Sequence, residues 1–455
     1  MSRRMLSRSS SLVVLSSVLL AGLASSGCMW DRFDQARDAA PIFSFDTPGS
    51  HKAGFGSSLA AMRDGDRATV LVTGLPANVP AALFEVGVDD SPLAEASDVG
   101  HCERTPENRR CTTIEQGAAL GRAWSPSNAA REQCFVSGIG RFDEKRGAGL
   151  WTRCNDSTEY VFELPGSIKG EFNDAFEERK KPPAVYLATD RELAPWLIGG
   201  APAQTTAWVY EPGEAKPITL SPTREASKSY GRSVAVVRSK SGDDDSVLFA
   251  VGAPEAGEVW LFRVVERSVQ PLGCLGGITD FGRALASGDV DGDGQTDLVV
   301  ADGKRVSVFS GSVLGALPET ASATCSLASL PAGGLIATLG CGSGPDTEGC
   351  GSSEFGSALA VADLDGDGSG EIAVGAPHMK VRTHEQAGAV LVYDASGQWL
   401  VTTIHSQAGE NAKFGAAIVA VSQEDHDVLV VGAPGDQRVS VSYCSGGIGA
   451  SSKCE

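Results

Sequence analysis

Residues Phe281 to Asp302 read FGRALASGDVDGDGQTDLVVAD, and this stretch decides the fold. A Phe-Gly opening leads through a short apolar run into a loop in which Asp289, Asp291, Asp293 and Asp297 occupy positions 1, 3, 5 and 9. Gly292 and Gly294 lie between them, and the β-prone run Leu298-Val299-Val300 follows. Carboxylates on alternate residues of a tight, glycine-bearing loop point at one centre. A hard cation with six to eight oxygen ligands needs that arrangement, and without a cation the charges would repel. The helix–loop–helix calcium motif does not fit, because it requires a bidentate Glu at position 12 and that position is Val300, inside the apolar run.

The design recurs at Phe355 to Pro377, FGSALAVADLDGDGSGEIAVGAP, with Asp363, Asp365 and Asp367 at positions 1, 3 and 5 and Glu371 at position 9. Weaker copies open at Phe55-Gly56, Tyr230-Gly231 and Phe414-Gly415. A Gly-Ala-Pro turn closes several copies, at Gly252-Ala253-Pro254, Gly375-Ala376-Pro377 and Gly432-Ala433-Pro434, while Gly200-Ala201-Pro202 stands without a Phe-Gly partner upstream. Each turn is flanked by β-type runs such as Val247–Val251 and Glu258–Phe262. Strand, Gly-Pro turn, strand reads as a hairpin, since proline cannot donate to a ladder. Repeats of this size imply stacked supersecondary units.

The Phe-Gly … Asp-x-Asp-x-Asp-Gly … Gly-Ala-Pro arrangement resembles the FG-GAP repeat of integrin α-subunit β-propellers and their bacterial relatives. The resemblance covers about 230 to 455 and extends to 55–87. It implies an all-β fold, a single β-propeller of four-stranded blades, with seven blades expected and six as the alternative. Ile42-Phe43-Ser44-Phe45 is the expected N-terminal strand that completes the last blade. The family's ligand pattern, carried onto this chain, implies two Ca2+ ions. One is held by Asp289, Asp291, Asp293, Asp297 and the carbonyl of Gln295. The other is held by Asp363, Asp365, Asp367, Glu371 and the carbonyl of Ser369. Glu371 departs from the pattern by one methylene. The Tyr230 copy carries Arg238, Lys240, Gly242 and Ser246 at the ligand positions, and the Phe414 copy is too short for the loop, so both read as metal-free.

The ends and the cysteines bear on compartment. Arg3, Arg4 and Arg8 precede the apolar run Leu12 to Leu23, and Ala24-Ser25-Ser26-Gly27-Cys28 follows, which is the pattern of a secretory signal over 1–27. The run falls short of the roughly 17–25 apolar residues of a membrane span. The exit resembles a bacterial lipoprotein signal with Cys28 as the lipidated residue, 28–41 as a tether and 42–455 as the propeller, although Ser25 stands where Leu is usual. Of the eleven cysteines, ten remain after Cys28, an even number suited to disulfides in an oxidising compartment. Neighbour pairing is the simplest guess: Cys102 with Cys111, Cys134 with Cys154, Cys341 with Cys350, Cys444 with Cys454, and Cys274 with Cys325. The stretches 88–133 and 312–354, polar or Gly/Ser-rich and holding several cysteines, read as insertions from one face of the ring.

A net charge of −19, more negative once the three N-terminal arginines are removed, argues against nucleic acid and anionic membrane surfaces as partners. No Gly-x-Ser-x-Gly elbow, phosphate-binding loop, His-Glu-x-x-His or dinucleotide fingerprint occurs. The expected function is therefore an exported, lipid-anchored, calcium-stabilised propeller that binds a protein or glycan or acts as a scaffold. Its expected place is the outer membrane or cell surface, with the periplasm as the alternative. The alternative class is an envelope hydrolase or lyase working from propeller loops.

Overall fold

A computed structural model describes residues 43–46, 54–64, 67–74, 82–87, 94–98, 111–112, 119–121, 134–141, 147–154, 159–177, 184–190, 196–225, 229–241, 244–276, 278–319, 325–327, 330–341, 353–394, 399–405, 409–423 and 426–442. These form seven antiparallel sheets, the blades of a seven-bladed propeller. Blade 1 comprises Phe55–Asp64, Arg67–Gly74, Ala82–Gly87 and Ala94–Asp98. Blade 2 has a broken first strand, Cys111–Thr112 and Ala119–Gly121, followed by Cys134–Arg141, Ala148–Cys154 and Glu159–Glu163. Blade 3 is Tyr186–Thr189, Leu197–Ala201, Thr206–Tyr210 and Ile218–Leu220; blade 4 is Ser233–Ser241, Asp244–Ala253, Glu258–Val265 and Ser268–Gly276. Blade 5 is Ala284–Gly288, Asp297–Ala301, Arg305–Phe309 and Leu335–Gly340; blade 6 is Leu359–Ala362, Glu371–Ala376, Ala389–Asp394 and Trp399–Ile404. Blade 7 takes Ala417–Ser422, Asp427–Ala433 and Arg438–Ser442 from the C-terminal end and Phe43–Asp46 from the N-terminal end. That strand pairs Phe43 with Val441 and Phe45 with Val439, closing the ring one residue along from the expected Ile42–Phe45.

The core lies between blades. Successive residues of a strand point to opposite faces. In the run Leu298–Ala301, Val299 and Ala301 therefore pack towards blade 6 with Ile372 and Val374, whereas Leu298 and Val300 pack towards blade 4 with Leu248 and Leu261. With a neighbour on each face, a second strand has no polar side to show, which explains unbroken apolar runs where a one-sided sheet would alternate. The aromatic residue of each Phe/Tyr-Gly opening is sealed in these seams: Phe55, Tyr230, Phe281, Phe355 and Phe414 are at most 1% exposed.

The glycines of the two motifs meet across the blade seams. Within a blade the opening glycine donates its N–H to the carbonyl at the closing turn, as in Gly231 to Gly252, Gly356 to Gly375 and Gly415 to Gly432, at 3.0–3.1 Å. Its own carbonyl lies against the closing glycine of the preceding blade. A Cβ at Gly252 would stand 2.3 Å from the Gly282 carbonyl oxygen, one at Gly375 2.1 Å from that of Gly415, and one at Gly432 1.9 Å from that of Gly56. Gly200 meets the Gly231 carbonyl in the same way, so Gly200-Ala201-Pro202 is the closing turn of blade 3.

Two stretches differ from the expectation of insertions. Residues 88–133 contain the last strand of blade 1 and the first of blade 2, and 312–354 contain the last strand of blade 5. A blade's last strand lies at the rim, and Leu335–Gly340 alternates buried with exposed residues, so it lacks the continuous apolar signature of the second strands. A further difference is the helix Gly166–Glu177 between blades 2 and 3, which buries Ile168 and Phe172, one turn apart, against Leu187, Trp208 and Tyr210. Among the described residues no helix is long and apolar enough to cross a membrane.

A disulfide joins Cys274, on the last strand of blade 4, to Cys325, in the connection between the third and fourth strands of blade 5. Cys134 and Cys341 are also disulfide-bonded, and Cys134 stands directly opposite Cys154 in the blade 2 register. Cys28, Cys102, Cys350, Cys444 and Cys454, together with the signal and tether region, lie outside the described residues, and the Cys111 side chain is not described.

Candidate metal centres

The loops 289–296 and 363–370 each join the first strand of a blade to the second, so both lie at the same end of the ring. In the blade 5 loop, Asp289 folds the chain around its own carboxylate. Oδ1 accepts the N–H of Gly292 and Oδ2 that of Gly294, both at 2.8 Å, and the two glycines adopt φ of 73° and 78° to turn those groups inward. Asp291 Oδ1 accepts the N–H of Asp293, and Asp293 Oδ1 accepts that of Gln295. Asp297, fully buried at the start of the second strand, accepts from the N–H of Val290 at 2.9 Å and of Gly311 at 2.8 Å.

The blade 6 loop repeats this wiring. Asp363 accepts from Gly366, Asp367 and Gly368, Asp365 accepts from Asp367, and Asp367 accepts from Ser369. Glu371 Oε2 takes the N–H of Leu364 at 2.8 Å, the counterpart of the Asp297 to Val290 bond. The longer Glu side chain thus reaches the same place as Asp297.

Oxygens of Asp289, Asp291 and Asp297 converge within 4.8 Å of one another, as do those of Asp363, Asp365 and Glu371. Positions 1, 3 and 9 of the sequence pattern therefore come together. Asp293 and Asp367, at position 5, carry the N–H groups of Gln295 and Ser369, the two residues whose carbonyls the resemblance assigns to the ion. Burial, with the neighbouring carboxylates adding to it, pushes the Asp297 carboxyl up to about 7 and the Glu371 carboxyl up to about 9, and it raises Asp289 and Asp363. Among the described residues, no Lys or Arg forms a salt bridge with Asp289, Asp291, Asp297, Asp363 or Glu371. Three convergent carboxylates, one of them buried, fit a bound divalent cation. The glycine-flexible loops and all-oxygen donor set suit calcium better than the rigid octahedron of magnesium.

Blade 4 has a cation built into its own chain. Arg238, at position 1 of the metal-free Tyr230 copy, places Nε and Nη2 at 2.9 and 2.7 Å from Oδ2 of Asp190. Asp190 follows the first strand of blade 3 as Asp289 follows that of blade 5, and its side chain is only 6% exposed. Sequence reading missed Asp190 because no Phe-Gly opening precedes its strand. The orphan Gly200-Ala201-Pro202 turn, a strand further on, was the available signal.

The first strands surround a central cavity of about 410 Å3 lined by small residues, among them Ser58, Ala60, Ala235, Ala286, Ala360 and Ala417. Among the described residues, its charged lining groups are Asp190, Arg238 and Asp289. A His/Arg/carboxylate group does occur elsewhere: Glu354 lies 3.7 Å from Arg283 and 3.5 Å from His378 Nδ1. None of the three lines the cavity.

Seven antiparallel blades, two of them with an acidic loop between first and second strands, define a β-propeller that carries FG-GAP repeats. The FG-GAP repeat family model matches residues 281–309 and 355–393, the two copies that hold the acidic loops. The chain is 35% identical over 100 residues to integrin alpha-7 of Homo sapiens, covering 20% of this chain and 8% of that protein. The corresponding figures are 34%, 20% and 9% for integrin alpha-7 of Rattus norvegicus. The match therefore spans less than a tenth of those relatives' length.

Proposed function

We propose that this protein is an exported, lipid-anchored propeller, stabilised by two calcium ions, that binds a protein or glycan partner or serves as a scaffold at the outer membrane or cell surface. The observation that carries the reading is the pair of convergent carboxylate loops at one end of a closed seven-bladed ring. Each loop spans the first two strands of its blade, so an ion there holds two strands in place and leaves the opposite face of the ring for a partner. The similarity to integrin alpha-7 supports a binding role. The cavity lining favours binding over catalysis, because Arg238 and Asp190 are bonded to each other and most other lining groups are small and neutral. Two measurements test the proposal. Equilibrium dialysis against calcium should count two ions per chain, and a count of zero overturns the metal reading. Cys28→Ser should move the protein out of the membrane fraction, and a variant that still sediments with membranes overturns the lipid anchor.

A further inference from the structure

The two acidic loops touch. The carbonyl of Asp289, in the blade 5 loop, accepts the N–H of Gly370, in the blade 6 loop, at 2.7 Å. Gly370 sits between Ser369, whose carbonyl faces the second ion in the proposed ligand set, and Glu371, whose carboxylate does. A Cβ at Gly370 would lie 2.7 Å from that same Asp289 oxygen and 2.4 Å from Val361 Cγ1, so the approach is open only to glycine. A second contact runs beside it, because a Cβ at Gly292 would stand 2.9 Å from Ser369 Oγ. Asp289 thus faces both loops, its carboxylate towards one ion and its carbonyl towards the backbone that carries ligands of the other.

We infer that the two loops bind calcium as one positively coupled unit, a step that rests on the metal reading above. An ion on the blade 5 loop fixes Asp289, and the fixed carbonyl holds the Gly370 peptide in the orientation that sets Glu371. Filling the blade 6 loop fixes the same seam from the other side. The first ion therefore meets much of the ordering cost of the second loop, which is positive coupling without a change of fold. Coulomb repulsion between two dications works in the opposite direction, so the sign of the coupling separates the two effects. Couplings of this kind typically amount to about 5–150-fold in affinity and are reciprocal.

The test is a calorimetric calcium titration of the whole chain beside Asp291→Ala, which disables the blade 5 loop, and Asp365→Ala, which disables the blade 6 loop. Circular dichroism confirms that each variant is folded. Each variant should retain one site, about fivefold or more weaker than in the parent chain, with the same factor of loss in both by reciprocity. A parent isotherm equal to the sum of the two variant isotherms overturns the coupling and leaves the metal reading standing. So does a remaining site that is tighter in the variant than in the parent, which repulsion alone would give. A parent chain that binds no calcium removes the metal reading and the coupling together.

Discussion

Two aspartates of one loop, Asp291 and Asp297, show how differently the same residue type can act. Asp291 is exposed and holds one loop N–H, whereas Asp297 is fully buried and satisfies the N–H groups of Val290 and Gly311. Asp297→Ala should therefore destabilise the protein even in chelator, since each buried orphaned donor costs about 1–3 kcal/mol. Asp291→Ala should cost stability only when calcium is present. Thermal melts with and without calcium check both, and equal losses for the two variants in chelator would contradict the assignment. The raised carboxyls set a pH dependence. Asp297 goes from its ordinary 3.8 to about 7 and Glu371 from 4.5 to about 9, so the ion-free folded chain keeps protons that the unfolded chain has released. Their contribution to ion-free stability is greatest below the unfolded values and is lost as pH climbs towards the folded ones. Calcium replaces those protons, so the calcium-induced gain in Tm should grow between about pH 5 and pH 8. A gain that shrinks over that range would contradict the assignment.

At the scale of the element, the two motifs are a lock between neighbouring blades. The opening glycine bonds to the closing turn of its own blade and presses its carbonyl onto the closing glycine of the preceding one. Gly432→Ala would drive a methyl to 1.9 Å from the Gly56 carbonyl oxygen at the seam where the chain's two ends meet. We expect a loss of about 1–3 kcal/mol or more, as overpacking does, whereas Gly340→Ala, which faces open space, should melt close to the parent. The acidic loops are legible in the sequence because ligand geometry demands fixed spacing. The second strands are legible because burial on both faces demands unbroken apolar runs. The rim strand Leu335–Gly340 is half exposed and needs neither, and the broken first strand of blade 2 consists of two pieces of two and three residues, too short to show a period. The helix Gly166–Glu177 is a single short helix with Gly166 and Gly170 in it, a weak signal that does not stand out beside the repeated β pattern. Of the candidate site, spacing shows the carboxylates. It does not show the Asp190–Arg238 pair, which two different blades contribute.

For the whole molecule, stability depends on closing a ring whose ends are far apart in sequence. Closure uses the strand Phe43–Asp46 on Arg438–Val441, and the Cys274–Cys325 disulfide adds a staple across a separation of 51 residues. Cys274→Ser should cost about 4 kcal/mol on a chain-entropy estimate, read as a lower denaturant midpoint, with the slope rising because the freed unfolded chain exposes more surface. At the acidic end, contacts run from blade to blade. Asp190 meets Arg238, the Arg238 carbonyl meets the Thr296 N–H, and Asp289 meets Gly370. Asp363 then exchanges two hydrogen bonds with Asp427, and Arg63 reaches the Gln423 carbonyl. Calcium is placed to tighten the middle of this chain. The most direct measurement is the melting temperature of the parent chain and of the Asp291→Ala/Asp365→Ala double variant, each in calcium and in chelator. A ligand that binds only the folded state at about 100 times its Kd adds roughly 2.7 kcal/mol. The account predicts a clear rise in Tm with calcium for the parent and none for the double variant. An equal calcium response in the two proteins, or none in the parent, would contradict it.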